Sequence, residues 1–249
     1  MAIISAHKND IGRNKKRDNE DYIWVDDQVG LYIVADGMGG HEAGDVASEL
    51  AATTIADLIV KQLAQQRNSN TLDTDAIKTI IVDAAEAANK KVYQAAHAAK
   101  QKRQMGTTVV LAFIASSTAY ISHAGDSRAY LVRNATLTQL TEDDSWGTFS
   151  SQSSGTDGAP SPLDPVLTKA VGQNTSLDPS FTTVDLMPDD ILLLCSDGLW
   201  NMLDTDRILA EVEKSGSTLD KAVEALVAAA NDAGGRDNIS VVMVKHTAS

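Results

Sequence analysis

The 249-residue chain carries 34 acidic against 21 basic residues, a net charge of −13 and a pI near 4.7. That balance argues against nucleic-acid or anionic-membrane partners, which need a positive footprint. The 43% hydrophobic content supports a sizeable core, aromatics at 4% leave aliphatic packing to fill it, and a single cysteine, Cys195, rules out an intrachain disulfide. The opening residues lack the apolar stretch of a signal peptide, and no run approaches the roughly 18 apolar residues of a membrane span. A cytoplasmic protein is expected. No Pro- or Gly-rich linker divides the chain, so residues 1–249 are expected to form a single domain.

Strand-like runs fall at 2–7, 22–26 and 31–35. A helix is expected over about 44–66, where Val46, Leu50, Ile55, Leu58, Ile59 and Leu63 recur near helical spacing. The polar stretch 67–71 ends it. A second, alanine-rich helix is expected over about 75–102, with Ile77, Ile80, Ile81, Ala84, Ala88 and Val92 on one face. The period then becomes that of strands, at 107–115, 118–123, 128–133 and 137–141. Residues 142–165 are rich in Ser, Gly, Asp and Pro, with Trp146 and Phe149 embedded. They read as a flap-like loop, since long loops are commonly functional. Strands resume at 181–186 and 190–196, helices follow at 205–214 and 218–232, and a last strand covers 238–245. Strands grouped with strands and helices grouped in pairs predict α+β layers.

Four aspartates sit at the ends of these runs, each followed by a small or turn-forming residue: Asp36-Gly37, Asp126-Ser127, Asp197-Gly198 and Asp237-Asn238. Strands deliver carboxylates to fixed points. Several converging there would repel one another unless cations lay between them. Oxygen ligands of this kind suit Mg²⁺ or Mn²⁺, so the pattern reads as a metal site with possible phosphate chemistry. The glycine-rich segment after Asp36 fits neither the dinucleotide nor the P-loop spacing, and an ordinary turn is an equal reading. Cys195 ends an apolar run with no arginine-closed phosphate loop after it, so packing is expected of it rather than nucleophilic attack. Among the histidines, only His41 stands beside an aspartate of the set. Residues 12–21 read on their own as a solvated charged turn.

Taken together, Asn19-Glu20-Asp21, Val34-Ala35-Asp36-Gly37-Met38-Gly39-Gly40-His41, Gly106-Thr107-Thr108, Gly125-Asp126-Ser127-Arg128, Cys195-Ser196-Asp197-Gly198-Leu199-Trp200-Asn201 and Gly235-Arg236-Asp237-Asn238 span nearly the whole chain. In this order they resemble the metal-dependent protein phosphatases, the type 2C serine/threonine family, in its bacterial form. The resemblance implies two antiparallel β-sheets packed as a central sandwich and flanked by pairs of helices. It implies hydrolysis of phosphoserine and phosphothreonine by a metal-bridged hydroxide at a binuclear Mn²⁺ or Mg²⁺ site. Asp36 would bridge the two ions, the Gly37 carbonyl would hold one, and Asp197 and Asp237 the other. Asp126 would join Asp197 on a third, weaker ion. Glu20 and Asp21 would act through bound waters, and Asn238 would orient its surroundings. The family's phosphate-binding arginine has Lys16 in its slot here, leaving Arg17 or Arg13 as substitutes. Met38 stands where eukaryotic members carry a histidine, leaving water or His41 as the acid. Asp144 replaces a histidine usual at the flap. Phosphoprotein substrates, an opposing serine/threonine kinase and a monomer are implied. A regulatory phosphoprotein-binding module and a small phosphate-ester hydrolase are the alternatives.

Overall fold

The computed structural model describes residues 2–13, 18–40, 42–66, 73–98, 105–148, 163, 166–216 and 218–247. Its architecture follows from strands that are apolar on both faces. In β3 (Leu31–Met38), all residues from Leu31 to Ala35 are buried. Side chains alternate along a strand. Leu31, Ile33 and Ala35 therefore pack on α1 (Glu42–Gln66) and α2 (Thr74–Ala98), while Tyr32 and Val34 enter the core between the sheets. On the other side, Leu192 and Leu194 of β10 (Ile191–Cys195) and Val242 and Val244 of β11 (Ile239–Thr247) meet that same inter-sheet core. Their neighbours Leu193, Cys195, Val241 and Met243 face α4 (Thr205–Lys214) and α5 (Leu219–Asp232). Each fully buried Leu, Ile or Val is worth roughly 2 kcal/mol. A one-residue slip would exchange the two faces of a strand, which pins the register.

The first sheet orders β1 (Ala2–Asp10), β11, β10, β7 (Arg128–Arg133) and β8 (Thr136–Gln139). The second orders β2 (Asp21–Asp26), β3, β5 (Val109–Ala115), β6 (Thr118–Ala124) and β9 (Ser180–Asp185), with β4 (Gly106–Thr107) paired to the end of β3. Every pairing is antiparallel. The result is the α+β sandwich of two sheets between helical layers that the resemblance implies. Among the described residues, no helix is long and apolar enough to cross a membrane.

Three local differences from the sequence reading matter for the site. β3 continues through Asp36 to Met38, because Gly37 and Met38 pair with β4. The run expected as one strand over 107–115 breaks at Thr108. There the backbone N–H of Thr108 donates to the Asp36 carbonyl (2.8 Å), and its Oγ1 accepts from Asp36 N–H (3.2 Å). A four-residue helix, α3 (Asp197–Trp200), follows β10 directly.

Candidate active site

The aspartates meet at one end of the sandwich. Asp21 opens β2 and is the cross-strand partner of Asp36 on β3. Asp197 follows β10, Asp237 precedes β11, and Asp126 lies in the turn between β6 and β7. The loops that carry them interlock at distances that leave no room for side chains. A β-carbon on Gly37 would stand 2.1 Å from the Gly44 carbonyl oxygen and 2.5 Å from that of Glu20. One on Gly198 would stand 1.9 Å from the Asn238 carbonyl oxygen. Glycine after Asp36 and after Asp197 is thus a packing requirement. Asn238 ties two further loops together: its Oδ1 accepts from Glu20 N–H (2.8 Å) and its Nδ2 donates to the Ile11 carbonyl (3.1 Å). Glu20 in turn accepts from Gly37 N–H (3.1 Å).

The carboxylates raise one another's pKa. Burial, then the charges of Asp21, Asp197, Asp126 and Asp237, push Asp36 well above the usual range. Burial raises Asp21 to about 7 against the opposing hydrogen bond from Ser196. Burial and the charge of Asp197 raise Asp126 to about 7. Asp197 is raised by burial and by Asp237, while hydrogen bonds with Asp36 and Asn201 hold it down. Asp21 Oδ1 is buried without a hydrogen-bond partner among the described residues. Like charges crowded in a partly dry site, with an orphan carboxylate oxygen among them, fit hard divalent cations. Among the described residues, no three acidic, histidine or cysteine side chains are already drawn into a metal cage.

Sequence reasoning missed the residues that hold this cluster. Ser196 sits at the N-cap of α3, where a serine hydroxyl normally caps the helix, yet it makes no cap bond. Its Oγ donates to Asp21 Oδ2 instead (2.7 Å) and accepts from Ser240 N–H (3.0 Å). Thr107 Oγ1 donates to the Asp36 carbonyl (2.8 Å), and Thr108 Oγ1 shares a 2.6 Å hydrogen bond with Ser127 Oγ. Arg128 lies 3.6 Å over the Trp200 ring and grips Asp143 through both Nε (2.8 Å) and a terminal nitrogen (2.7 Å). Trp200 Nε1 donates to the Asp126 carbonyl (3.0 Å), so this stack braces the Asp126 turn against α3. The serine and threonines lie inside the motifs quoted above, but only their partners reveal what they do.

The described ends of the flap-like segment pair in a short ladder. Trp146 N–H donates to the Val166 carbonyl, Thr168 N–H to that of Asp144, and Ser145 bridges Leu167. Asp144 stitches this neck to the Asp126 turn. Its N–H donates to the Gly125 carbonyl (3.0 Å), its Oδ2 accepts from Gly125 N–H (3.2 Å), and Lys169 Nζ lies 3.1 Å from its other oxygen. Trp146 is 43% exposed. Arg13 is directed at α5, donating to the Asn231 carbonyl (2.6 Å) and to Asp232 (2.7 Å). Lys16, Arg17, His41 and Phe149 lie outside the described residues. Cys195 is fully buried and burial pushes its thiol up.

A family model described as protein phosphatase 2C matches residues 11–235. The chain belongs to that family. It is 36% identical over 240 residues to the serine/threonine phosphatase stp of Listeria monocytogenes, covering 94% of this chain and 91% of that one. It is also 36% identical over 243 residues to the protein phosphatase PhpP of Streptococcus pneumoniae, covering 94% of each. Among solved structures, the catalytic domain of the serine/threonine phosphatase PstP in complex with two manganese ions superposes with a TM-score of 0.81 at 28% identity, over 99% of both chains.

Proposed function

We propose that this chain is a protein serine/threonine phosphatase that hydrolyses phosphoserine and phosphothreonine at a site for two Mn²⁺ or Mg²⁺ ions. The observation that carries the reading is the set Asp21, Asp36, Asp126 and Asp197, whose burial and mutual charge raise them together. Asp36, the Gly37 carbonyl, Asp197 and Asp237 are the residues to hold two core ions, as PstP holds two manganese ions. Asp126 with Asp197 is the place for a third, weaker one. When bound, the ions supply an activated water and offset charge on the phosphoryl oxygens.

The chain's own contribution is placement. Asn238 and the glycine contacts fix the loops to within a side chain's width, and Ser196 aims Asp21 at the cluster. Glu20 and Asp21 support ligands through water, in the way outer hydrogen bonds commonly tune metal sites. Cys195 takes no covalent role, since it is buried and its thiol is held protonated. Residues 1–249 act as one catalytic domain, in the cytoplasm and as a monomer, on phosphoproteins made by a serine/threonine kinase. The net charge of −13 supports the absence of a nucleic-acid or membrane partner. Phosphate release from a phosphothreonine peptide should require Mn²⁺ or Mg²⁺ and stop in chelator. Full activity in excess EDTA would refute the reading.

A further inference from the structure

The arginines of the described chain divide sharply. Arg13, Arg128, Arg133 and Arg207 each pair with a carboxylate, on Asp232, Asp143, Asp190 and Glu211 respectively. Arg236 does not. It is exposed and has no hydrogen bond, ion pair or ring contact among the described residues. Yet it is the chain neighbour of Asp237, at the rim of the aspartate cluster.

Its stem folds back over Gly234. A β-carbon on Gly234 would lie 3.8 Å from Arg236 Cγ and 3.6 Å from Met202 Sδ, so the arginine stem and Met202 flank the same glycine. Met202 follows Asn201, whose Nδ2 donates to Asp197 (3.0 Å). Arg236 thus shares Gly234 with Met202, which lies shortly after α3, and directly precedes Asp237 in the chain. Met202 also lines a cleft of about 430 Å³, with Leu203, Ala229 and Ala233 as its other apolar walls. Two carboxylates near Met202 are already engaged: Asp232 with Arg13 and Asp204 with Arg207 N–H. A guanidinium that the protein leaves unneutralised, on a surface of net charge −13, is suited to an oxyanion brought from outside.

We propose that Arg236 is a specificity-determining residue that binds an oxyanion of the phosphoprotein substrate at the rim of the aspartate cluster. The inference rests on the phosphatase reading above. The oxyanion is either the phosphoryl group itself or a carboxylate flanking the phosphorylated residue, since both match the planar fork of arginine.

The experiment uses the full chain at saturating Mn²⁺, with Arg236→Ala and Arg236→Lys. Three substrates are compared: a phosphothreonine peptide with acidic flanks, the same peptide with alanine flanks, and a small aryl phosphate. Arg236→Ala should lower kcat/KM on the acidic-flanked peptide about tenfold, the size of one charge-assisted hydrogen bond. The loss should lie in KM, and Arg236→Lys should restore only part of it, because lysine cannot reproduce the fork. An equal loss on the aryl phosphate assigns the phosphoryl oxygens. A loss confined to the acidic-flanked peptide assigns a flanking carboxylate. Values within about twofold of wild type on all three substrates overturn the proposal. So does a loss that lies wholly in kcat or in Mn²⁺ half-saturation, which is what a merely structural role would move. Both variants should fold, since surface substitutions are near neutral. Wild-type protein inactive on every substrate would instead overturn the phosphatase reading.

Discussion

The two ends of β10 treat the same residue type in opposite ways. Asp190, just before the strand, is buried at 2% exposure and surrounded by donors. Arg133 Nε donates to it at 2.9 Å, a terminal nitrogen of Arg133 also binds it, and Met187 N–H donates at 2.7 Å. Asp197, just after the strand, faces Asp36 and is raised by burial and Asp237. At the first end the fold neutralises a carboxylate. At the second it gathers carboxylates whose charges add. A buried charge persists when it is paired, so the crowding at the second end is what the proposed metal ions would relieve. What separates the two ends is the identity of the neighbours, donors around Asp190 and other carboxylates around Asp197.

The comparison can be broken most directly at Asp36. Asp36→Asn should lower phosphate release at saturating Mn²⁺ by about a thousandfold, as loss of a central electrostatic group does. Melting of the metal-free protein should be unchanged or raised, because repulsion is relieved. Near wild-type turnover would place the reaction elsewhere. Asp190→Ala tests the other end. It should cost about 2 kcal/mol in chemical denaturation by removing the acceptor of Arg133 and of Met187 N–H, with kcat of the folded protein kept. A stable but inactive variant would erase the distinction between the two ends.

Ser196→Ala sharpens it further. Removing the hydroxyl that aims Asp21 should raise the Mn²⁺ concentration for half-binding, followed by calorimetry, about tenfold, the lower range for such supporting hydrogen bonds. Unchanged Mn²⁺ affinity would reduce the Ser196–Asp21 bond to packing. The smallest expected effect is on pH. Asp21 and Asp126 are raised to about 7 in the folded metal-free protein, so between roughly pH 4 and 7 the folded state holds more protons than the unfolded one. The slope of stability with pH is then negative. Their contribution is present below the unfolded carboxylate pKa near 3.9 and is lost as pH rises through about 7. Melting temperature without metal should fall across that window, and the rise produced by Mn²⁺ should grow with pH, since ions and protons compete for the same oxygens. A metal-free protein that gains stability from this cluster on going from pH 5 to 8 would contradict the assignment.

Much of this protein was legible in its residues. Runs such as Leu31-Tyr32-Ile33-Val34-Ala35 announce strands buried on both faces, and the alternation along them decides which core each side chain enters. The Asp-Gly and Asp-Asn pairs at strand ends marked where carboxylates would be delivered, because side-chain type and local turn chemistry are properties of a few adjacent residues. Tertiary structure alone decided the rest. Ser196 sits at the N-cap of α3, but Asp21, 175 positions away, captures its hydroxyl. Arg13 stands in the sequence beside Lys16 and Arg17 as one of three candidate phosphate ligands, and the fold directs its side chain to the C-terminal end of α5, 218 positions away. The break at Thr108 exists because the Asp36 backbone, 72 positions earlier, takes its hydrogen bonds. A polar side chain's partner is set by which distant loops the fold brings within about 3 Å, and local pattern carries no record of that distance.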